Sequence, residues 1–181
     1  TTHLIIGLGE HEMEAAELML EMRHADVLVS LFAFTPIQGT QMEHESPPPL
    51  PIYRKLQFLL GLLDWQDEEH FCVAYDAKNG IHSFGLNEAQ MRSFLNRHFL
   101  FVTHGCPGCN RPFYTEVPGG TMFNFPNIPA ETAQGEIDQF IQDLKTDGFE
   151  FAEGQNGEGE GSLMGDMLHY VGDEESLSPR L

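Results

Sequence analysis

Cations are scarce in this chain: 9 of its 181 residues are Lys or Arg against 28 Asp or Glu, for a net charge of −19. A surface so short of positive charge repels phosphate backbones and anionic lipid, which argues against nucleic-acid and membrane-surface binding. A basic protein partner or plain solubility fits the sign. Cysteine is scarce too, at three residues. An odd count with two in one CxxC does not read as a secreted disulfide framework, so a reducing, cytoplasmic setting is expected. Long apolar runs are missing: the longest uncharged stretch, Val27 to Met42, is interrupted by Ser, Thr, Pro, Gln and Gly, which excludes a membrane span there. No charged segment followed by an apolar one marks a signal peptide.

What remains is globular in composition, 41% hydrophobic and 20% charged, with length for one real core plus a tail. Thr1 to Ile6 reads as a buried strand with no approach segment, so the chain reads as cut from something longer. Ala15, Leu18, Met19 and Met22 mark a helix over Glu12 to Arg23, with Glu12 and Glu14 suiting its N-terminus. Val27 to Phe34 is apolar on both faces, as in a central parallel strand. After a Pro-rich loop, Ile52, Leu56, Leu59, Leu60 and Leu63 mark a second helix. Strand, helix, strand, loop, helix is the rhythm of a parallel β/α unit.

Beyond Trp65, Phe71, Val73 and Tyr75 alternate and Asn79-Gly80 predicts a two-residue hairpin turn before Ile81 to Phe84. Asn87 with Gln90 predicts a capped helix through Arg97, with Met91, Phe94 and Leu95 inward. Ile137, Phe140, Ile141 and Leu144 predict a last amphipathic helix. From about Glu150 the sequence is acidic and Gly-rich, too poor in apolar residues to offset ordering, and a flexible tail is expected. Three regions follow: 1–64, 65–148 and 149–181.

The chemistry-bearing residues are few. Cys106-Pro107-Gly108-Cys109 is a tight turn that aims two thiolates at one point. A thioredoxin-like pair needs its first cysteine at a helix N-terminus, and the prolines and glycines around it argue against one. Zinc needs four ligands and an iron–sulfur cluster needs more cysteine. By composition His104 and Cys72 are the nearby candidates, a second subunit could supply the rest, and an unligated reduced pair remains open. Among nine histidines no HExxH occurs. Gly7-Leu8-Gly9 links a strand to a helix, but Glu12 stands where GxGxxG needs its third glycine, and the acids following would repel a pyrophosphate.

Ile5-Ile6-Gly7-Leu8-Gly9-Glu10 resembles the IxGxxE end of the GxIxGxxE motif of radical S-adenosylmethionine (radical SAM) enzymes, with His3 at the family's first glycine. Phe34 to Met42 resembles the next barrel strand and the PIPGTPL loop of the biotin- and lipoyl-synthase-like branch, with Gln38 and Gln41 replacing prolines. Thr103 to Pro126, containing GCPGCNRPFY, Pro118-Gly119-Gly120 and Asn124-Phe125-Pro126, resembles the C-terminal region of one subunit of the two-component lipoyl synthases, with His104 in place of a serine.

The resemblance, over roughly residues 3 to 148, implies an α/β fold: the last β/α units of a partial (β/α) barrel, then a small α+β extension. It implies S-adenosylmethionine and a [4Fe–4S] cluster as cofactors and sulfur insertion into an octanoyl chain as the reaction. Ile5 and Gly7 would lie near the adenine, and Cys106 and Cys109 near an auxiliary cluster or the substrate entrance. The CxxxCxxC that holds the catalytic cluster is absent from these residues. The expectation is therefore part of an enzyme that is inactive alone and needs a protein partner. The alternatives are a non-catalytic interaction subunit and a zinc-stabilised adaptor.

Overall fold

A computed structural model describes residues 1–65, 71–98, 100–102, 119–126 and 129–153. Among them the architecture is mixed α/β, with four helices and two small sheets. β1 (Thr2–Ile6) pairs in parallel with β2 (Val29–Ala33), Ile5 opposite Phe32, and α1 (Glu12–His24) makes the crossover. Parallel neighbours share a face, so Leu4 and Ile6 lie on the side of Val29 and Leu31, where Ile6, Val29 and Leu31 enter the core. β1 is not the wholly buried strand its composition suggests. His3 and Ile5 are exposed, whereas their partners on the same face of β2, Ser30 and Phe32, are buried.

α1 buries Glu12, Ala15, Ala16 and Met19, and Leu18, expected inside, is exposed. The buried stripe is rotated toward Glu12, whose carboxylate meets Lys55. At the other end Asp26 takes a left-handed φ of 55. That turns the chain so that the Val27 N–H reaches the Met22 carbonyl at 2.8 Å, a Schellman-type stop.

α2 (Leu50–Trp65) is the central element. Every residue from Tyr53 to Leu63 is buried, so it has no solvent face over that span. Gly61 lets the Leu100 side chain pack against the helix backbone, in the space a Cβ would take.

β3 (Ala74–Tyr75) and β4 (Ile81–Ser83) form the expected antiparallel hairpin. Its turn is longer than two residues. Asp76 N–H donates to the Gly80 carbonyl, Asn79 N–H to that of Asp76, and Asn79 takes φ 63. The Asp76 carboxylate accepts the Lys78 and Gly80 N–H groups, stabilising this wider turn over the tight one. α3 (Glu88–His98) opens on the expected reciprocal cap between Asn87 and Gln90. α4 (Ala130–Thr146) buries Ile137, Phe140, Ile141 and Leu144 as predicted.

Residues 149–153 do not behave as tail. Phe149 is buried, and the Glu150 and Ala152 N–H groups donate to the His82 and Leu86 carbonyls beside β4. Two phenylalanines, at 149 and 151, supply the anchoring that the acidic composition hides; their rings meet at 5.2 Å. A single apolar core runs from Ile6 to Phe149, with Phe58 packed on Phe84, Phe94 and Phe140. Among the described residues no helix is long and apolar enough to cross a membrane.

Candidate functional site

The carboxyl ends of β1 and β2 are the natural place for a site in a parallel unit. Gly7 and Gly9 adopt φ 102 and 112, a region in which only glycine is unstrained. A Cβ on Gly7 would also stand 2.8 Å from Pro48 Cδ. The Glu10 carboxylate turns back to accept the Gly7 N–H at 2.6 Å and the Leu8 N–H at 2.8 Å. Glu14 accepts the His11 N–H at 2.8 Å and starts α1. The spacing Gly-x-Gly-Glu thus has a local cause: two left-handed glycines form the loop and the glutamate satisfies its amides. Those amides are not available to a phosphate, and a carboxylate already stands where the anion would sit.

The second strand end leads into residues 34–49. Its first amide, that of Phe34, donates to Ile6 O at 2.7 Å. Glu43 accepts the Gly39 N–H, and the Thr40 hydroxyl donates to Ile37 O. Three large apolar side chains are exposed at this end: Ile5 at 46%, Leu8 at 50% and Ile37 at 64%. Ile5 lies on the face opposite the helices, with His3 and Phe32, whose rings meet edge-on at 5.1 Å.

Ile5, on the exposed face of β1, and Gly7, in the loop that follows, are neighbours along the chain. Cys72 is elsewhere: half-buried, its N–H donates to Phe84 O beside the hairpin. His104, Cys106 and Cys109 lie outside the described residues. Among the described residues no cluster of three or more His, Cys, Asp or Glu is arranged to hold a metal.

Two buried polar clusters were not foreseen. Lys55 Nζ donates to Glu12 Oε1 at 2.8 Å and to Ile81 O at 3.2 Å, while Glu12 Oε2 accepts the Ile81 N–H. Burial raises the Glu12 pKa, and Lys55 and the Ile81 amide pull against it without offsetting it. Arg54, 2% exposed, donates to the Phe123 and Met122 carbonyls, Gln57 and Glu136, and its guanidinium lies over Phe101 at 4.3 Å. Gln57, Asn124 and Tyr53 extend the network. One sequence signal could have revealed both. A helix with Leu56, Phe58, Leu59, Leu60, Leu62 and Leu63 has no side left for water, so its cations must be buried and paired. The cleft lined by Leu31, Gln57, Leu60, Leu100 and Asn124 has a volume of about 10 Å³, about what one water needs and far too small for an organic ligand.

No family model, curated protein or solved structure matches this chain.

Proposed function

We propose that the chain is the C-terminal portion of a radical SAM sulfur-insertion enzyme of the lipoyl-synthase type, unable to cleave S-adenosylmethionine without a polypeptide carrying CxxxCxxC. The observation that carries this reading is the β1–loop–α1–β2 unit. The residues resembling IxGxxE fall at a strand's carboxyl end, form a two-glycine loop closed by Glu10, and lead through a helix to a parallel neighbour. On this reading the two strands belong to a (β/α) barrel whose other strands lie outside these residues.

The described residues fit one part of the cofactor set. Ile5 offers an exposed apolar ledge for an adenine ring, and Gly7, packed against Pro48, turns the loop beside it. When bound, S-adenosylmethionine would supply a carbon radical for hydrogen abstraction. No described group of side chains fits a [4Fe–4S] cluster or zinc, so Cys106 and Cys109 carry those assignments by resemblance alone.

The exposure of Ile5, Leu8 and Ile37 favours a second reading, a non-catalytic subunit that binds another protein through this end. The test is anaerobic reconstitution of the full chain with iron and sulfide, then assay with S-adenosylmethionine and reductant. No 5′-deoxyadenosine is expected from the chain alone, and release is expected once a CxxxCxxC-bearing partner is added. Release by the chain alone would overturn the dependence on a partner; an inert mixture with a partner active toward its own reaction would favour the second reading.

A further inference from the structure

We propose that Asn79-Gly80 is a site of non-enzymatic deamidation, protected while the β3–β4 turn is docked on α1 and reactive when the two part. This lies outside the cofactor reading and does not depend on it.

The chemistry needs only the chain, water and hydroxide. The Gly80 nitrogen gives its proton to hydroxide and attacks Cγ of the Asn79 side chain. A bond forms between that nitrogen and Cγ, the Cγ–Nδ2 bond breaks, and Nδ2 leaves as ammonia after taking a proton from water. Water then opens the cyclic imide at either carbonyl. One opening yields aspartate; the other yields isoaspartate, whose main chain runs through Cγ. Glycine at position 80 puts no side chain in the way of ring closure, and both residues are partly exposed.

The structure supplies the restraint. Ring closure requires the peptide plane joining Asn79 to Gly80 to turn until its nitrogen eclipses Cβ of Asn79. In the left-handed region that Asn79 occupies, at φ 63, that nitrogen stands away from Cβ. Both ends of the plane are tied. The Asn79 carbonyl accepts the Met13 N–H, in the first turn of α1, at 3.0 Å. The Gly80 N–H donates to Asp76 Oδ1 at 2.9 Å. The Gly80 hydrogen bond is the chief cause that lowers the Asp76 pKa, so a charged carboxylate opposes loss of the Gly80 proton. Ile81, next in the chain, is fastened through its N–H to Glu12 and through its carbonyl to Lys55. The plane cannot turn with these partners in place. Deamidation therefore follows separation of the turn from α1, and isoaspartate then lengthens the main chain of the segment that must dock again.

The full chain and a blocked peptide of residues 74–83 are kept in the same mildly alkaline buffer. Aspartate and isoaspartate at position 79 are quantified by peptide mapping, apart from the chain's other Asn-Gly at 156–157. Native-state amide exchange at Met13 and Gly80 is measured alongside. The folded chain is expected to react about tenfold or more slowly than the peptide, with a retardation within about threefold of the exchange protection at Gly80, because one opening controls both. Asp76→Ala, in a chain shown to be folded by circular dichroism, should speed the reaction about tenfold, equivalent to about 1.4 kcal/mol for one charge-assisted hydrogen bond. The same change should leave the peptide's rate almost unaltered. Equal rates in chain and peptide would overturn the inference, since docking would then protect nothing. So would a reaction faster than Gly80 exchange allows, which means attack in the docked turn, or a folded Asp76→Ala chain that reacts no faster. An absence of product in the folded chain, after Gly80 has exchanged fully and the peptide is converted, would show that opening never reaches a reactive geometry. The comparison of rate with exchange in the unaltered chain decides the matter even where Asp76→Ala does not fold.

Discussion

Tyr75 illustrates what one residue's environment decides. It is 4% exposed, and its hydroxyl has no hydrogen-bond partner among the described residues. Burial, with smaller contributions from Glu17 and Glu12, pushes its pKa up to about 12 from 10.0. The folded state therefore holds this proton where the unfolded chain has begun to lose it. By linkage stability falls as pH rises through the window from about 10 to about 12. Tyr75→Phe removes an unsatisfied hydroxyl, and the expected outcome is a protein between equally stable and about 1 kcal/mol more stable near neutral pH. Its alkaline limb should also be shallower, and a spectrophotometric titration should lose one late-ionising phenol. A clear loss of stability at neutral pH would show that the hydroxyl is engaged after all. The alternation of Phe71, Val73 and Tyr75 did indicate which side of the strand faces the core, and Val73 and Tyr75 are buried. Periodicity carries no information on whether a polar tip meets a partner.

At the scale of elements the joint to test is Glu12–Lys55–Ile81, which ties α1 and α2 to the start of β4. Both charged side chains are about nine-tenths buried, so removing one partner leaves the other charged and dry. Lys55→Met is expected to cost about 3–5 kcal/mol, and Glu12→Leu with Lys55→Met to recover most of that. About 1 kcal/mol should stay lost because the Ile81 N–H has no acceptor. Chemical denaturation of the two variants measures both numbers; additive losses in the double variant would mean the pair is not the joint. This is also where the sequence reading fell short. β1, α1, β2, α3 and α4 were legible because capping residues and apolar spacing are local signals. The role of Glu12 was not, since an acid in a first helical turn reads as a dipole partner until the tertiary neighbour is known. Residues 149–153 misled for the reverse reason: Glu and Gly set the composition while Phe149 and Phe151 set the structure. The Gly7–Glu10 motif was visible as a motif, but its local cause lies in φ angles and in Pro48, which is distant in sequence.

At the scale of the whole molecule the dominant quantity is the excess of 28 acids over 9 bases, and its effect on stability is a competition. Screening by salt relieves repulsion among unpaired carboxylates, which favours the folded state. It also weakens the partly exposed pairs Arg92–Asp138 and Lys145–Glu88, which join α3 to α4, and Arg92–Glu88 within α3. The magnitudes decide the sign. Exposed pairs contribute only about 0–1 kcal/mol each, and the cations are too few to neutralise more than a third of the acids. The buried Glu12–Lys55 pair and the Arg54 network lie beyond the reach of mobile ions. Salt should therefore stabilise. Raising NaCl from about 10 mM to about 150 mM shortens the Debye length from about 30 Å to about 8 Å, enough to separate the acidic face of α1 from the acids beyond β2. The expected outcome is a rise in Tm of a few degrees over that range, followed by a plateau. Arg92→Gln, which removes two of those pairs, should leave the rise intact or steepen it. A Tm that falls with salt, and stops falling in Arg92→Gln, would show that the α3–α4 ion pairs outweigh the repulsion.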